Sequence, residues 1–191
     1  MGTFLYPAGG SGWQLGLSGA LLFGDRVKED VLESLRTSQG FLYGNDKSVA
    51  NIQLRMRGWR TLLVLGKDWQ LNEVSGIQGR LGGGYLSHKI RIQDDPQTYV
   101  PQVHGDYKRG YDRLEGGPLL YAWTGYRYRG SNNNLNFSIG LEGTLAFTRG
   151  QRSFQFDLRK AYLDRQPSAW IGLKATWVLI VLDRSTSQNW Y

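Results

Sequence analysis

His88 and His104 are the only imidazoles in the chain, and each has a neighbour that invites a catalytic reading. Ser87 precedes His88, and Asp106 follows closely on His104. A hydrolytic triad needs its nucleophile, base and orienting acid to converge in space. No nucleophile-elbow motif holds a serine in that posture, and the reading is of a protein that is not an enzyme. Cysteine is absent, which excludes thiol nucleophiles, disulfides and zinc–thiolate sites. Gly82-Gly-Gly84 lacks the Lys-Ser/Thr that follows a phosphate-binding loop, and neither a metal nor a cofactor is implied.

The charged residues that remain fall into two groups. Arg55, Arg57, Arg80, Glu142 and Lys174 all sit on strand positions predicted to point away from an oily face. If that polar face turns inward, Glu142 pairs with the cations, because charges buried without partners are costly. Such a cluster would plug a narrow interior; the alternative is a cationic path or ligand pocket. The second group lies in the segment Tyr107, Lys108, Arg109, Tyr111, Asp112 and Arg113, where aromatics alternate with both charge signs. That pattern suits contact with a saccharide or a protein, and equally suits a loop folded on itself.

The elements that must position these residues are strands. Over 135–148, Leu135, Phe137, Ile139, Leu141, Leu145 and Phe147 alternate with Asn136, Ser138, Glu142, Thr144 and Thr148. Period-2 alternation means one oily and one polar face. Strands in soluble proteins usually span about 5–6 residues, whereas a tilted membrane-crossing strand needs about 9–11. Segment 168–182 repeats the pattern, with Ile171, Leu173 and Trp177 opposite Gly172, Lys174 and Thr176. In segment 13–23 Trp13, Leu15, Leu17, Leu21 and Phe23 form the oily row. Segment 49–65 sets Ile52, Leu54, Met56, Leu62 and Val64 against Asn51, Gln53, Arg55 and Arg57. Segments 75–92 and 115–129 are less regular strands, and Phe4-Leu-Tyr6 reads as the tail of another. Trp13, Trp123 and Trp177 on the oily face suggest interfacial aromatic girdles.

Connections alternate in length. Tight turns are expected at 7–11 and 130–134 and a short link at 66–73, with long loops at 25–48, 93–114 and 149–166. Residues 25–38 have a helical look that would place Val27, Val31, Leu32 and Leu35 on one face, fit to cap a barrel mouth or dock a partner. No apolar run approaches the roughly 18–20 residues of a membrane helix; the longest is Trp177-Val-Leu-Ile-Val-Leu182. The expectation is therefore an all-β, antiparallel, up-and-down transmembrane β-barrel spanning residues 1–191 as a single domain. About seven strands are visible, and bacterial single-chain barrels have an even number. Eight are expected in the full-length protein, with a signal peptide and first strand preceding Met1.

Five stretches carry a family resemblance: Phe23-Gly-Asp-Arg-Val-Lys-Glu-Asp30, Gly84-Tyr-Leu-Ser-His-Lys-Ile-Arg-Ile92, Tyr107-Lys-Arg-Gly-Tyr-Asp-Arg-Leu114, Phe147-Thr-Arg-Gly-Gln-Arg-Ser153 and Ile171-Gly-Leu-Lys-Ala-Thr-Trp177. In these the chain resembles small outer-membrane β-barrel proteins of Bacteroidetes. The resemblance implies residence in the outer membrane of a Gram-negative bacterium. It also implies a non-enzymatic, structural or accessory place in a secretion or assembly complex such as the type IX apparatus. The net charge of +7 calls for an anionic partner. The phosphates of outer-membrane lipid, lipopolysaccharide included, would meet rim residues such as Lys89, Arg91, Arg127, Arg129, Arg149 and Arg152. Nucleic-acid binding would want one basic patch and a recognisable module, and neither is visible.

Overall fold

A computed structural model describes residues 2–7, 12–94, 97–130, 136–161, 163 and 165–177. Seven strands follow one another: β1 (Gly2–Pro7), β2 (Trp13–Gly24), β3 (Gln53–Gln70), β4 (Ser75–Gln93), β5 (Glu115–Arg129), β6 (Asn136–Gly150) and β7 (Arg165–Trp177). Each pairs antiparallel with the next in a single up-and-down sheet. The chain is thus all-β, as its alternation requires. The sheet is not closed, for β1 and β7 each have one strand neighbour. The turns expected around residues 8–11 and 131–134, and the end of the last strand beyond Trp177, lie outside the described residues.

The sheet is strongly curled. Strands lie about 4.8 Å apart, so in a flat sheet β3 and β6 would be separated by roughly 14 Å. Yet Arg60 of β3 reaches Glu142 of β6 at 3.1 Å. One apolar cluster also draws Leu22, Leu62, Val64, Leu86, Leu119, Tyr121, Trp123, Ala146 and Trp170 from six successive strands. The concave face is a filled interior.

The convex face is oily. Phe137 is 38% exposed, Leu141 54% and Leu173 83%, whereas Glu142 on the opposite row is largely covered. The outward rows end in aromatics at both rims. Phe23, Trp59, Tyr85 and Phe147 mark the long-loop end; Tyr6, Trp13, Trp69, Tyr126 and Phe137 mark the turn end. Trp59 and Trp69 stand ten residues apart on one strand, as do Phe147 and Phe137. At about 3.4 Å per residue and a tilt of roughly 40°, ten residues rise about 25 Å, the height of the apolar band of a membrane barrel.

Strand β3 corrects the sequence reading. Its register runs without a break from Gln53 to Gln70, so parity fixes facing along its whole length. Trp59, Leu63 and Leu65 are exposed, while Leu62 and Val64 are fully buried. The apolar residues taken for the outer row belong to the interior. Arg55 and Arg57 therefore share the outward row with Trp59. Trp123 is likewise an interior residue, 3% exposed, and not part of a girdle. On these strands both rows are apolar, and the alternation carries no sign.

The three long connections form a second layer at the mouth. Val31, Leu32, Leu42, Ala50, Val100, Val103 and Tyr111 pack there against Ile92 and the upper inner positions Leu54 and Ile90. The helical stretch expected over 25–38 shrinks to a single 3-10 turn, Glu33–Leu35. The turn ends at Arg36, whose backbone is extended; on its N-terminal side the Asp30 carboxylate accepts from the Leu32 amide at 3.1 Å and binds Arg36. Such local side-chain bonds compete with helix. Val31 and Leu32 nevertheless point inward, and this loop caps the sheet.

Candidate functional site

Two charged layers cross the interior. In the middle one Arg60 Nη2 donates to both carboxylate oxygens of Glu142, at 3.2 and 3.1 Å, and its Nη1 to Thr144 at 3.3 Å. Lys174 Nζ lies 3.9 Å from the same carboxylate and donates to the Tyr121 hydroxyl at 3.0 Å. That hydroxyl in turn donates to Glu142 at 3.4 Å. The rings are also occupied: Arg60 and Lys174 both sit over Tyr121, and Arg80 lies over Trp123 at 4.9 Å. Cations over aromatic faces are attracted by the ring quadrupole, and more so when desolvated.

The lower layer, nearer the turns, is centred on Asp68. It accepts from Arg127 at 2.5 Å, from Gln78 at 3.0 Å and from Gln14 at 3.2 Å. Gln78 passes the network on to Arg80. Across the two layers four cations, Arg60, Arg80, Arg127 and Lys174, share two carboxylates among the described residues. Buried ions tolerate such a place only when hydrogen bonds satisfy them. Here the tyrosine, the glutamines and the aromatic faces supply that support.

Of the five charges expected in this interior, Arg80, Glu142 and Lys174 are brought together. Arg55 and Arg57 are on the outer wall, each 3.6 Å from the exposed Asp25. Arg60 and Asp68, which the sequence reading missed, take their place. The signal was present: Trp59 and Trp69 have one parity, and Arg60 and Asp68 have the other.

The histidines are far from a triad. Ser87 and His88 are adjacent in a strand and so point to opposite faces. His88 Nε2 faces Glu115 at 3.9 Å on the inner side of the rim. His104 stacks on Tyr99, with ring centroids 4.5 Å apart, and its partner is Asp94 at 3.3 Å, not Asp106. Asp106 instead meets Arg109.

The aromatic and charged loop is divided in use. Tyr107 and Arg109 are exposed, and Lys108 is bound to Asp94. Tyr111 is buried in the mouth core, where burial first and the nearby Asp157 second raise its hydroxyl pKa above the ordinary tyrosine range. Asp112 is covered and receives Arg152 at 2.5 Å; this bond raises the Arg152 pKa further. Arg113 binds Asp157 at 2.5 Å and also Glu29. Half of the segment thus holds the cap together and is not offered to a partner. Gly110 is required there, because a Cβ would lie 2.0 Å from the Phe156 ring.

No protein-family model, curated protein or solved structure matches this chain.

Proposed function

We propose that this chain is a bilayer-spanning β-barrel of a bacterial outer membrane. In this reading it serves without catalysis as a structural or accessory subunit of a secretion or assembly complex. The observation that carries the membrane part is the inversion of its faces. Leucines and aromatics stand exposed on the convex side, and ion pairs are enclosed on the concave side. Water would drive the opposite arrangement, and hydrocarbon favours this one. The spacing of the aromatic rims, matched to an apolar band about 25 Å tall, gives independent support.

In lipid each unsatisfied backbone group costs several kcal/mol, so the free edges of β1 and β7 must be paired in the inserted form. Pairing of these edges with one another or with a further strand would do this. The scaffold role is supported by the covered concave face, where Arg60, Leu62, Val64, Leu86 and Trp123 are all buried. The resemblance to outer-membrane barrels of Bacteroidetes supports the assignment to a secretion or assembly complex. A second reading, a small transport or ligand-binding barrel, is favoured by the excess of cations over carboxylates inside.

Reconstitution into planar bilayers separates the two. A plugged scaffold gives no steady conductance, and a stable anion-selective current would overturn it. Purification from native membranes with unrelated outer-membrane proteins consistently attached is the expected companion result. A barrel that always purifies alone contradicts the scaffold role.

A further inference from the structure

Just above the aromatic rim at the long-loop end, the outer wall carries an arrangement that is unfavourable by itself. In the β3–β4 register Arg57 stands opposite Lys89, and Arg55 opposite Arg91. All four are on the outward row. Directly opposed side chains have Cβ atoms about 4.5–5.5 Å apart, and like charges so placed destabilise a sheet. Successive pairs along the ladder are about 7 Å apart. The Cβ atoms of four cationic side chains therefore mark a rectangle of about 5 by 7 Å, from which the Arg57 guanidinium turns to the Gly24 and Met56 carbonyls and that of Arg55 to the Gln53 amide oxygen. Their counter-charge is slight: Asp25 is shared by the two arginines and is itself mostly exposed. Among the described residues no carboxylate pairs with Lys89 or Arg91.

A groove of about 530 Å³ opens beside Arg57, Lys89 and Arg91 of this ladder, and on the loop side it is lined by Lys108, Arg109, Asp112 and Arg152. The three loop cations have carboxylates of their own, so the unpaid charge is concentrated on the wall. Directly below it lie Trp59 and Tyr85, with ring centroids 6.0 Å apart, and beside it on β2 stands Phe23, opposite Arg57 in the register, whose guanidinium lies over its ring at 5.3 Å. Below those, Leu63 and Leu81 face outward.

We infer that the Arg55–Arg57–Lys89–Arg91 ladder is a binding site for the phosphate-bearing headgroup of a membrane lipid. Its phosphate lies among the four cations, and its acyl chains run down over Trp59, Tyr85 and Leu63. This inference rests on the membrane reading above. The height agrees with it. One pleat repeat above Trp59 is about 7 Å along the strand, or about 5 Å along a tilted barrel axis. The headgroup layer begins there, since it adds roughly 5–7 Å on each side of the hydrocarbon. Arginine and lysine together suit phosphate, the first by forked hydrogen bonding and the second as a point charge. Bound phosphate converts two repulsive cross-strand pairs into bridged ones.

The test uses native mass spectrometry of the whole protein in neutral detergent, with phosphatidic acid, its phosphate-free counterpart diacylglycerol, and inorganic phosphate as probes. The protein should retain phosphatidic acid in preference to diacylglycerol by about tenfold or more, and inorganic phosphate should not displace it at matched concentration. The double variant Arg57→Gln, Lys89→Gln should lose that preference. The variant Lys28→Gln, Lys47→Gln, which removes the same charge from exposed loops, should keep it. Equal retention of the two lipids by the unaltered protein overturns the inference, as does an unchanged preference in the double variant. Displacement by inorganic phosphate would mean a free-anion site and overturns the lipid assignment. Insertion into phosphatidylcholine vesicles is scored separately: protein that inserts without preferring phosphatidic acid refutes this site alone, and protein that fails to insert refutes the membrane reading as well.

Discussion

Arg57 and Arg60 are three residues apart on one strand and live in opposite physical worlds. Arg60 is 3% exposed and satisfied by Glu142 and Thr144. Arg57 faces outward beside an aromatic rim, opposite another cation. The interior offers its cations carboxylates, amides and aromatic faces. The outer wall gathers like charges and leaves their neutralisation to something outside the chain. The difference teaches that a charge on a strand has no meaning until its row is known. One residue of shift moves it from a structural brace to a surface that recruits a ligand.

The comparison is broken most severely at Glu142. The change Glu142→Ala would leave Arg60 and Lys174 without their shared carboxylate and cost about 3–5 kcal/mol, whereas Arg57→Gln on the outer wall should cost under about 1 kcal/mol. Urea unfolding in lipid vesicles reads both, and equal losses would refute the assigned facing. Next in size is Leu141→Arg, on the outward row between Phe137 and Phe147, which on the proposed membrane reading should cost about 2–4 kcal/mol. The same unfolding experiment in vesicles of thinner bilayer should show a smaller loss. Ser138→Asn looks innocuous from the sequence, but Ser138 is only 1% exposed. The extra volume should cost about 1–3 kcal/mol, and a neutral effect would indicate a looser interior at the turn end than the structure has.

The smallest effect is set by pH at the mouth. The Tyr111 hydroxyl has a raised pKa in the folded cap, so its contribution is complete below the unfolded value near 10 and is lost as pH rises through the folded value. Protease cleavage of the 94–114 loop should therefore accelerate above about pH 10 in the native protein. In Tyr111→Phe that acceleration should be blunted, and identical pH profiles would remove the tyrosine from the cap's energetics.

Much of this was legible in the residues. Strands β2, β6 and β7 have one uniformly oily row, and their facing follows from alternation alone. Glu142 and Lys174 were placed inside on that basis. Strand β3 reads backwards because the interior holds its own apolar layer, so Leu62 and Val64 imitate an outward-facing row. The tryptophans at 59 and 69, spaced to the height of a bilayer, were the better guide. The cap was legible only in outline. Val31 and Leu32 announce an inward apolar edge, but the local helix stops at Arg36, where the backbone turns extended. The partnership of His104 with Asp94 and Tyr99 depends on how the loop folds back, which no spacing encodes.

Arg113 stands where the three long loops meet. Its backbone adopts a positive φ of 40°, uncomfortable for a residue with a side chain, and its guanidinium grips Glu29 from the first long loop and Asp157 from the third. One residue of the second loop thus ties all three excursions together. The rim should then open as a unit, with amides in all three loops exchanging hydrogen at a common rate, and Arg113→Ala should split that single rate into three.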